Sequence, residues 1–167
     1  GLLAAALAHV YLLGRLFGIK RHDPGFYKAV VRMTYGVLCF GLIFSFIGTV
    51  LGGIWANYSW GRFWGWDPKE NGALLIIIWE LMILHGRTGG YFRNIGLCAM
   101  SVLLGIVVSF SWWGVNMLGV GLHSYGFMEG GWPRLAAYWA IECAVAACGI
   151  ILWYRDTKAQ ETLPTPQ

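Results

Sequence analysis

Long apolar runs recur along this chain of 167 residues and leave little room for the charged side chains of a water-soluble surface. Five runs stand out, at about residues 1–17, 33–55, 68–86, 95–113 and 135–154. About 20 residues of α-helix span the hydrocarbon core of a bilayer, and a segment facing lipid must satisfy its own backbone hydrogen bonds. The pattern therefore predicts an all-α protein, a polytopic transmembrane helical bundle with about five membrane helices in the lipid bilayer.

The composition agrees with a membrane protein and disfavours a nucleic-acid-binding one. Only 12% of the residues are charged, against about 25% in a soluble domain. The net charge is +4, but the sequence contains no run of lysine or arginine that would follow a phosphate backbone. We expect one membrane-embedded domain, residues 1–155, followed by a polar cytoplasmic tail, residues 156–167. The chain opens inside an apolar run without a basic leader, so we expect the C-terminal part of a longer protein and no signal peptide.

The basic residues favour one orientation in the membrane. They lie after the first run, after the third run and in the tail, and they are Lys20, Arg21, Lys28, Arg32, Arg87, Arg93, Arg155 and Lys158. By the positive-inside rule these three regions are cytoplasmic. The connections at about residues 56–67 and 114–133 then lie on the outer face.

Residues 60–70, here called the tryptophan segment, contain the densest group of aromatic side chains. The group is Trp60, Phe63, Trp64 and Trp66. We expect these rings to stack into a rigid apolar cradle for a planar hydrophobic ligand, although an aromatic belt at the membrane interface is the alternative. Arg62 and Lys69 would meet the carboxylates of such a ligand, or lipid headgroups.

The end of the tryptophan segment has the pattern of a helix start. Asp67 suits the N-cap, Pro68 the first helical position, and Glu70 the third position of a capping box. This start extends the third apolar run to a length that can cross a membrane.

Four histidines are candidate ligands. His123 lies among glycines on the predicted outer side, and a neutral imidazole there would bind haem iron or hydrogen-bond a loop carbonyl. His85 lies near the inner end of the third run, where an ionisable group is either functional or simply interfacial. We expect His9 to face the interior as a structural residue, and His22 to lie in a cytoplasmic turn.

Two carboxylates lie inside apolar runs, at Glu80 and Glu142. Insertion of a carboxylate into hydrocarbon costs about 2.5–3.5 kcal/mol, so each should face the inside of the bundle or be protonated. A hydrogen-bonded anchor between helices is the simpler role, and a polar contact near a haem propionate or a proton route is the other.

Residues 60–70 resemble the WWD signature of the cytochrome c assembly membrane proteins, in the system II, CcsA-type branch. That branch also has a Leu-His-x-Arg element at the end of the next helix, here residues 84–87. A Gly-Val-Asn-Met-Leu run at 114–118 then leads into Gly-Leu-His-Ser-Tyr at 121–125. The order and spacing of these elements make the resemblance specific over about residues 52–126.

The resemblance implies a haem-handling subunit of a cytochrome c synthase (haem lyase). Such a protein transports haem b, holds it on the outer membrane face and presents it for thioether attachment to the CxxCH cysteines of apocytochrome c. His123 would be an external axial ligand of the iron, and His85 an intramembrane ligand. The other residues expected against haem are Trp60, Phe63, Trp64, Trp66 and Asp67. A ResB-type partner would supply a second intramembrane histidine, and a second external histidine would lie upstream of this chain.

The expected chemistry depends on positioning. The sequence offers no catalytic dyad or nucleophile, and thioether formation depends more on the proximity of its partners than on acid–base groups. Two other functions stay open: a haem exporter or chaperone that does not attach haem, and a structural subunit of a membrane complex.

Overall fold

The structure, a computed structural model, describes residues 1–126 and 129–161, and within them the chain forms helices and no β-strand. The helices are α1 (Leu2–Leu16), α2 (Pro24–Trp60), α3 (Pro68–Thr88), α4 (Asn94–Ser109) and α5 (Gly131–Glu161). α4 continues directly into a π-helical turn, Phe110–Gly114, and a 3₁₀ turn, Val115–Leu118. These elements confirm the predicted all-α bundle, with one helix for each apolar run.

The helices are longer than the apolar runs because polar residues start and extend them. α2 begins at Pro24, where the Asp23 side chain accepts the N–H of Phe26 at 3.0 Å. The expected tail also begins in a helix, since α5 runs to Glu161. The rest of that tail, residues 162–167, lies outside the described residues.

Three helices in the described part of the chain are long and apolar enough to cross a bilayer: Gly25–Trp60, Asn94–Leu118 and Gly131–Glu161. α1 is apolar but has only 15 residues. α3 has 21 residues, with charged side chains at both ends and at Glu80. Length and composition therefore support an integral membrane protein. Three of the described helices meet the criteria for a membrane span, whereas the sequence predicted about five membrane helices.

α4 lies at the centre of the bundle, packed against α1 and α5, while α2 lies at its edge. Half of the most apolar part of α4 is buried within the protein, against 11% of the corresponding part of α2. α2 instead exposes aromatic side chains such as Phe40 (62% exposed) and Phe44 (59% exposed). Soluble proteins rarely expose large continuous apolar surfaces. We therefore expect the exposed face of α2 to contact lipid or other protein segments in the membrane.

The alternating helices give the bundle two chemically different ends. One end, here called the tryptophan end, contains the tryptophan segment and the chain that follows α4. The other, here called the arginine end, contains the α1–α2 and α3–α4 connections and the C-terminus of α5. At the arginine end the Arg15 side chain on α1 forms an ion pair with Asp156 on α5 at 2.9 Å, which links the two helices.

Both predicted membrane carboxylates face the interior, as expected. Glu80 is fully buried, and Glu142 is 3% exposed. A carboxylate oxygen of Glu142 lies 3.5 Å from His9 Nε2, while His9 Nδ1 is 2.8 Å from the Ala5 carbonyl. His9 thus has the interior contacts expected of a structural histidine.

A close approach between α3 and the π-helical turn makes a prediction about stability. A Cβ atom on Gly72 would lie 2.9 Å from the Ser111 Cβ and 3.0 Å from its Cα, so the two backbones would have to separate. We expect Gly72→Ala to destabilise the fold by about 1–3 kcal/mol. The control is Gly48→Ala on α2, which has open space around it. Thermal unfolding in detergent should show a lower Tm for the first variant only, and equal Tm values would contradict the packing described.

Candidate haem-binding site

Asp67 begins α3 and holds the end of the tryptophan segment in place. One carboxylate oxygen, Oδ1, accepts the backbone N–H groups of Lys69 and Glu70, both at 3.0 Å. The Glu70 side chain in turn accepts the N–H of Asp67 at 3.2 Å, which completes the predicted capping box. Two side chains therefore satisfy the open end of the helix and fix the direction of the chain before it.

Glu70 also fixes the middle of the tryptophan segment. Its Oε2 accepts the N–H of Gly65 at 2.7 Å, and its Oε1 lies 3.2 Å from the Arg62 guanidinium. Arg62, which the sequence suggested for a ligand's carboxylates, thus already faces a carboxylate of the protein. The Lys69 ammonium likewise donates an N–H to the Trp112 carbonyl in the π-helical turn after α4. Both cations hold the site together.

The backbone of the tryptophan segment has two residues in the left-handed conformation. Gly61 has φ +72° directly after α2, and Trp66 has φ +57° directly before Asp67. A left-handed conformation is uncommon for a bulky side chain, and the hydrogen bond from the Asn71 amide to the Trp66 carbonyl supports it here. Trp66 is 69% exposed.

His123 joins this site from a distant part of the sequence. Its Nδ1 lies 2.6 Å from Asp67 Oδ2, the carboxylate oxygen that does not cap α3. The chain can approach this closely because Gly121 passes against Asp67, where an added Cβ would lie 2.7 Å from the Asp67 Cβ. The Asn116 side chain supports the same loop, since it accepts the N–H of Tyr125 at 2.9 Å.

The charge on Asp67 fixes the proton on His123. Burial favours the neutral acid, but the backbone N–H of Glu70 and the imidazole of His123 outweigh burial and lower the pKa of Asp67 below its ordinary value of 3.8. Asp67 is therefore ionised at neutral pH, and an ionised carboxylate can only accept. Nδ1 of His123 consequently carries the proton, which leaves the lone pair of a neutral imidazole on Nε2.

The rings of the tryptophan segment meet edge-on and do not form the expected stack. The Trp60 ring lies 4.8 Å from the His123 ring at an interplanar angle of 74°. Trp64 and Trp66 meet at 6.0 Å and 85°. Trp60 and Trp64 are half-buried, whereas Phe63 and Trp66 are exposed. The rings therefore form an apolar rim with faces in several directions.

A cavity of about 210 Å³ lies behind this rim, bordered by His123, Trp64 and the C-terminal part of α2. It is smaller than the ~300–1,000 Å³ that encloses a whole small-molecule ligand, so a large planar ligand would lie partly outside it. Trp64 borders this cavity, but its indole N–H is buried and has no acceptor among the described residues. An unpaired buried donor costs about 1–3 kcal/mol.

The site lies within the part of the chain that matches known proteins. Residues 2–123, well over half of the chain, match the family described as Cytochrome C assembly protein. The chain belongs to this family. The match includes α1 to α4 and ends at His123, and therefore contains the whole site.

Curated relatives of this cytochrome c assembly family member have the name Cytochrome c biogenesis protein CcsA. The protein from Calycanthus floridus var. glaucus is 39% identical over 93 residues, which are 56% of this chain and 29% of the relative. The protein from Helianthus annuus is 38% identical over 109 residues, 62% of this chain and 34% of the relative. The chain thus spans about a third of the length of the curated relatives it matches. No solved structure matches it.

His85 lies at the other end of α3 from His123. Asp67 and His85 are eighteen positions apart, which corresponds to about 27 Å along a helix, so the two histidines cannot share one ligand atom. His85 is exposed and its Nδ1 contacts the Leu81 carbonyl at 2.9 Å, which again leaves Nε2 without a contact among the described residues. The two candidate ligand histidines of this family member, His85 and His123, therefore belong to two separate sites.

A bare metal ion is a poorer fit to the main site than a ligand on His123 alone. Donor atoms of Asp67, Glu70 and His123 lie within 4.8 Å of one another. However, backbone N–H groups and the Arg62 guanidinium already occupy these carboxylate oxygens. The sequence predicted Glu70 only as part of the helix cap, from its spacing to Asp67. Its contacts to Gly65 and Arg62, which also hold the tryptophan segment, were not predicted.

Proposed function

We propose that this chain binds haem b at the tryptophan end and presents it during the assembly of c-type cytochromes. One observation supports this most strongly: Asp67 holds Nδ1 of His123 and leaves Nε2 for iron. A carboxylate on the second ring nitrogen is the usual arrangement for a metal-binding histidine, where it fixes the ring and makes the ligand more basic.

The surroundings of His123 suit a porphyrin. Trp66 and Phe63 offer exposed apolar rings, and Trp60 stands edge-on beside the imidazole. Trp64 borders the same cavity as His123 and adds to its apolar lining. Haem supplies the iron and the vinyl groups, while the protein supplies position and a basic ligand.

The distribution of basic residues supports one orientation of the bundle. The positive-inside rule places the arginine end in the cytoplasm, and the tryptophan end then lies on the outer face. His85 at the arginine end would bind haem within the membrane, with a second histidine from a ResB-type partner. A second external ligand for the haem on His123 would likewise come from outside this chain.

Attachment requires the vinyl groups to meet the CxxCH cysteines of apocytochrome c. In each attachment a cysteine S–H adds across a vinyl double bond: a C–S bond forms and the thiol proton goes to the neighbouring vinyl carbon. Holding both partners in position can contribute about 7–11 kcal/mol. This explains a site built from a ligand and flat apolar side chains.

Co-expression of the full-length gene product with a reporter separates attachment from transport. The reporter is a c-type apocytochrome with CxxCH, and its control has serines in place of both cysteines. We expect covalent haem on the first reporter only, and much less of it with Trp66→Ala. Haem bound by the membrane protein with no dependence of attachment on Trp66 would favour an exporter or chaperone. A protein that binds no haem at all would favour a structural subunit.

A further inference from the structure

A cavity of about 710 Å³ opens at the arginine end, between α1, α5 and the connection that leads into α4. It is separate from both histidine positions, since neither His85 nor His123 borders it. Its lining has an apolar part and a charged part, in which three arginines outnumber one carboxylate, Asp156. A ligand for this cavity would therefore need an anionic group and an apolar part.

The charged part has two arginines without a carboxylate partner. Arg15 pairs with Asp156 at 2.9 Å. Arg87 and Arg93 also border the cavity, and in residues 1–126 and 129–161 neither forms an ion pair. One guanidinium nitrogen of Arg87 donates to the Phe92 carbonyl at 3.2 Å, which holds the side chain in place and leaves its other N–H groups available.

The first turn of α4 adds to the positive potential beside these arginines. Its first three residues, Asn94 to Gly96, border the same cavity, and no side chain caps their N–H groups. The open N–H groups at a helix start, together with the helix dipole, favour an anion. Arg87, Arg93 and this helix start therefore act on one volume.

The apolar part continues from the arginines along α5. Ile150 is 69% exposed and Trp153 is 60% exposed, and both border the cavity. At its inner wall Gly149 packs against Ala99, where an added Cβ would lie 3.3 Å from the Ala99 side chain. These small residues let α4 and α5 pack closely at the inner wall. The exposed side chains of Ile150 and Trp153 line the rest of the cavity, which is an open groove with an apolar floor.

We propose that this groove binds an anionic phospholipid. The phosphate lies against Arg87, Arg93 and the start of α4, and an acyl chain runs along Ile150 and Trp153. The charges select the phosphate and the apolar floor selects a lipid over a soluble anion. Basic pockets between membrane helices on the cytoplasmic side, the leaflet rich in anionic lipids, are suited to such headgroups. The inference does not depend on the haem site at the tryptophan end, and His85, the other proposed haem ligand, does not border the groove.

Native mass spectrometry of the full-length protein from mixed micelles tests this site. The probes are palmitoyl-oleoyl phosphatidylglycerol and, for comparison, the zwitterionic phosphatidylcholine with the same chains. The test variant is Arg87→Gln with Arg93→Gln. The control is Arg21→Gln with Arg32→Gln, which removes the same charge at the same end but outside the groove. We expect phosphatidylglycerol retention to fall about 10- to 30-fold in the test variant and to change little in the control.

Three results would overturn the proposal: equal retention of the two lipids, equal losses in the test and control variants, or displacement of the lipid by millimolar glycerol 3-phosphate. The last would identify a site for soluble phosphate. A second variant, Arg87→Lys with Arg93→Lys, keeps the charge and guards against a folding defect. It should retain more phosphatidylglycerol than the glutamine variant at an unchanged Tm.

Discussion

Haem should be lost from the tryptophan end when His123 is replaced by alanine. The imidazole Nε2 is the group that Asp67 leaves available for iron, and its removal leaves only the contacts of the aromatic rings. We expect the purified variant to lose most of the haem absorbance that depends on this site, and covalent attachment to fall with it. Added imidazole should restore part of the absorbance, because it can replace the missing ligand in the space left by the side chain.

The control for this experiment is His22→Ala, an exposed turn residue at the arginine end. His85→Ala, in contrast, removes the other histidine position, about 27 Å away along α3. Haem that persists in His123→Ala but disappears in His85→Ala belongs to the intramembrane position. Unchanged absorbance and unchanged attachment in His123→Ala would remove the proposed role of this residue.

Replacement of Asp67 with asparagine should weaken haem binding about 10- to 100-fold while the helix start stays intact. Asparagine caps helices as well as aspartate does, and its carbonyl oxygen would keep the two N–H groups that Oδ1 accepts. The amide nitrogen would then face His123 and donate to Nδ1. That contact moves the imidazole proton to Nε2, where iron would have to bind.

The matched control is Asp23→Asn at the start of α2, an N-cap aspartate that accepts the N–H of Phe26 and has no histidine contact. Haem titration and thermal unfolding should be measured on both variants. We expect Asp67→Asn to lose haem affinity without a large change in Tm, and Asp23→Asn to change neither greatly. Equal haem affinity in wild type and Asp67→Asn would show that Asp67 does not select the tautomer of His123.

The local structure of the tryptophan segment could be predicted because its signals lie close together. Asp67, Pro68 and Glu70 specify a capped helix within four residues, and the structure forms that cap. The number and type of the helices also followed from the apolar runs, since a helix is the simplest way to satisfy the backbone in lipid. Helix ends were less predictable, because Asp23 and the polar end of α5 extend helices beyond the apolar residues.

The contacts within the site could not be predicted from the same patterns. Asp67 and His123 are 56 residues apart, and they meet only because the chain after α4 returns to the start of α3. The sequence likewise did not reveal the partner of Arg62, which forms an ion pair with Glu70 in the folded chain. The aromatic rings were correctly grouped, but their angles depend on the left-handed turn at Trp66, which no local rule required.

The π-helical turn after α4 has a consequence for chain length. Within Phe110–Gly114 the Val115 N–H bonds to the Phe110 carbonyl, five residues back, where an ordinary helix would reach four. Five residues of a π-helical turn rotate the chain about as far as four residues of a regular helix, so the turn holds one extra residue without rotating the chain that follows. Deleting one residue here would restore the regular repeat and leave His123 facing Asp67. The turn therefore absorbs a change in chain length that, in a regular helix, would rotate everything downstream by about 100°.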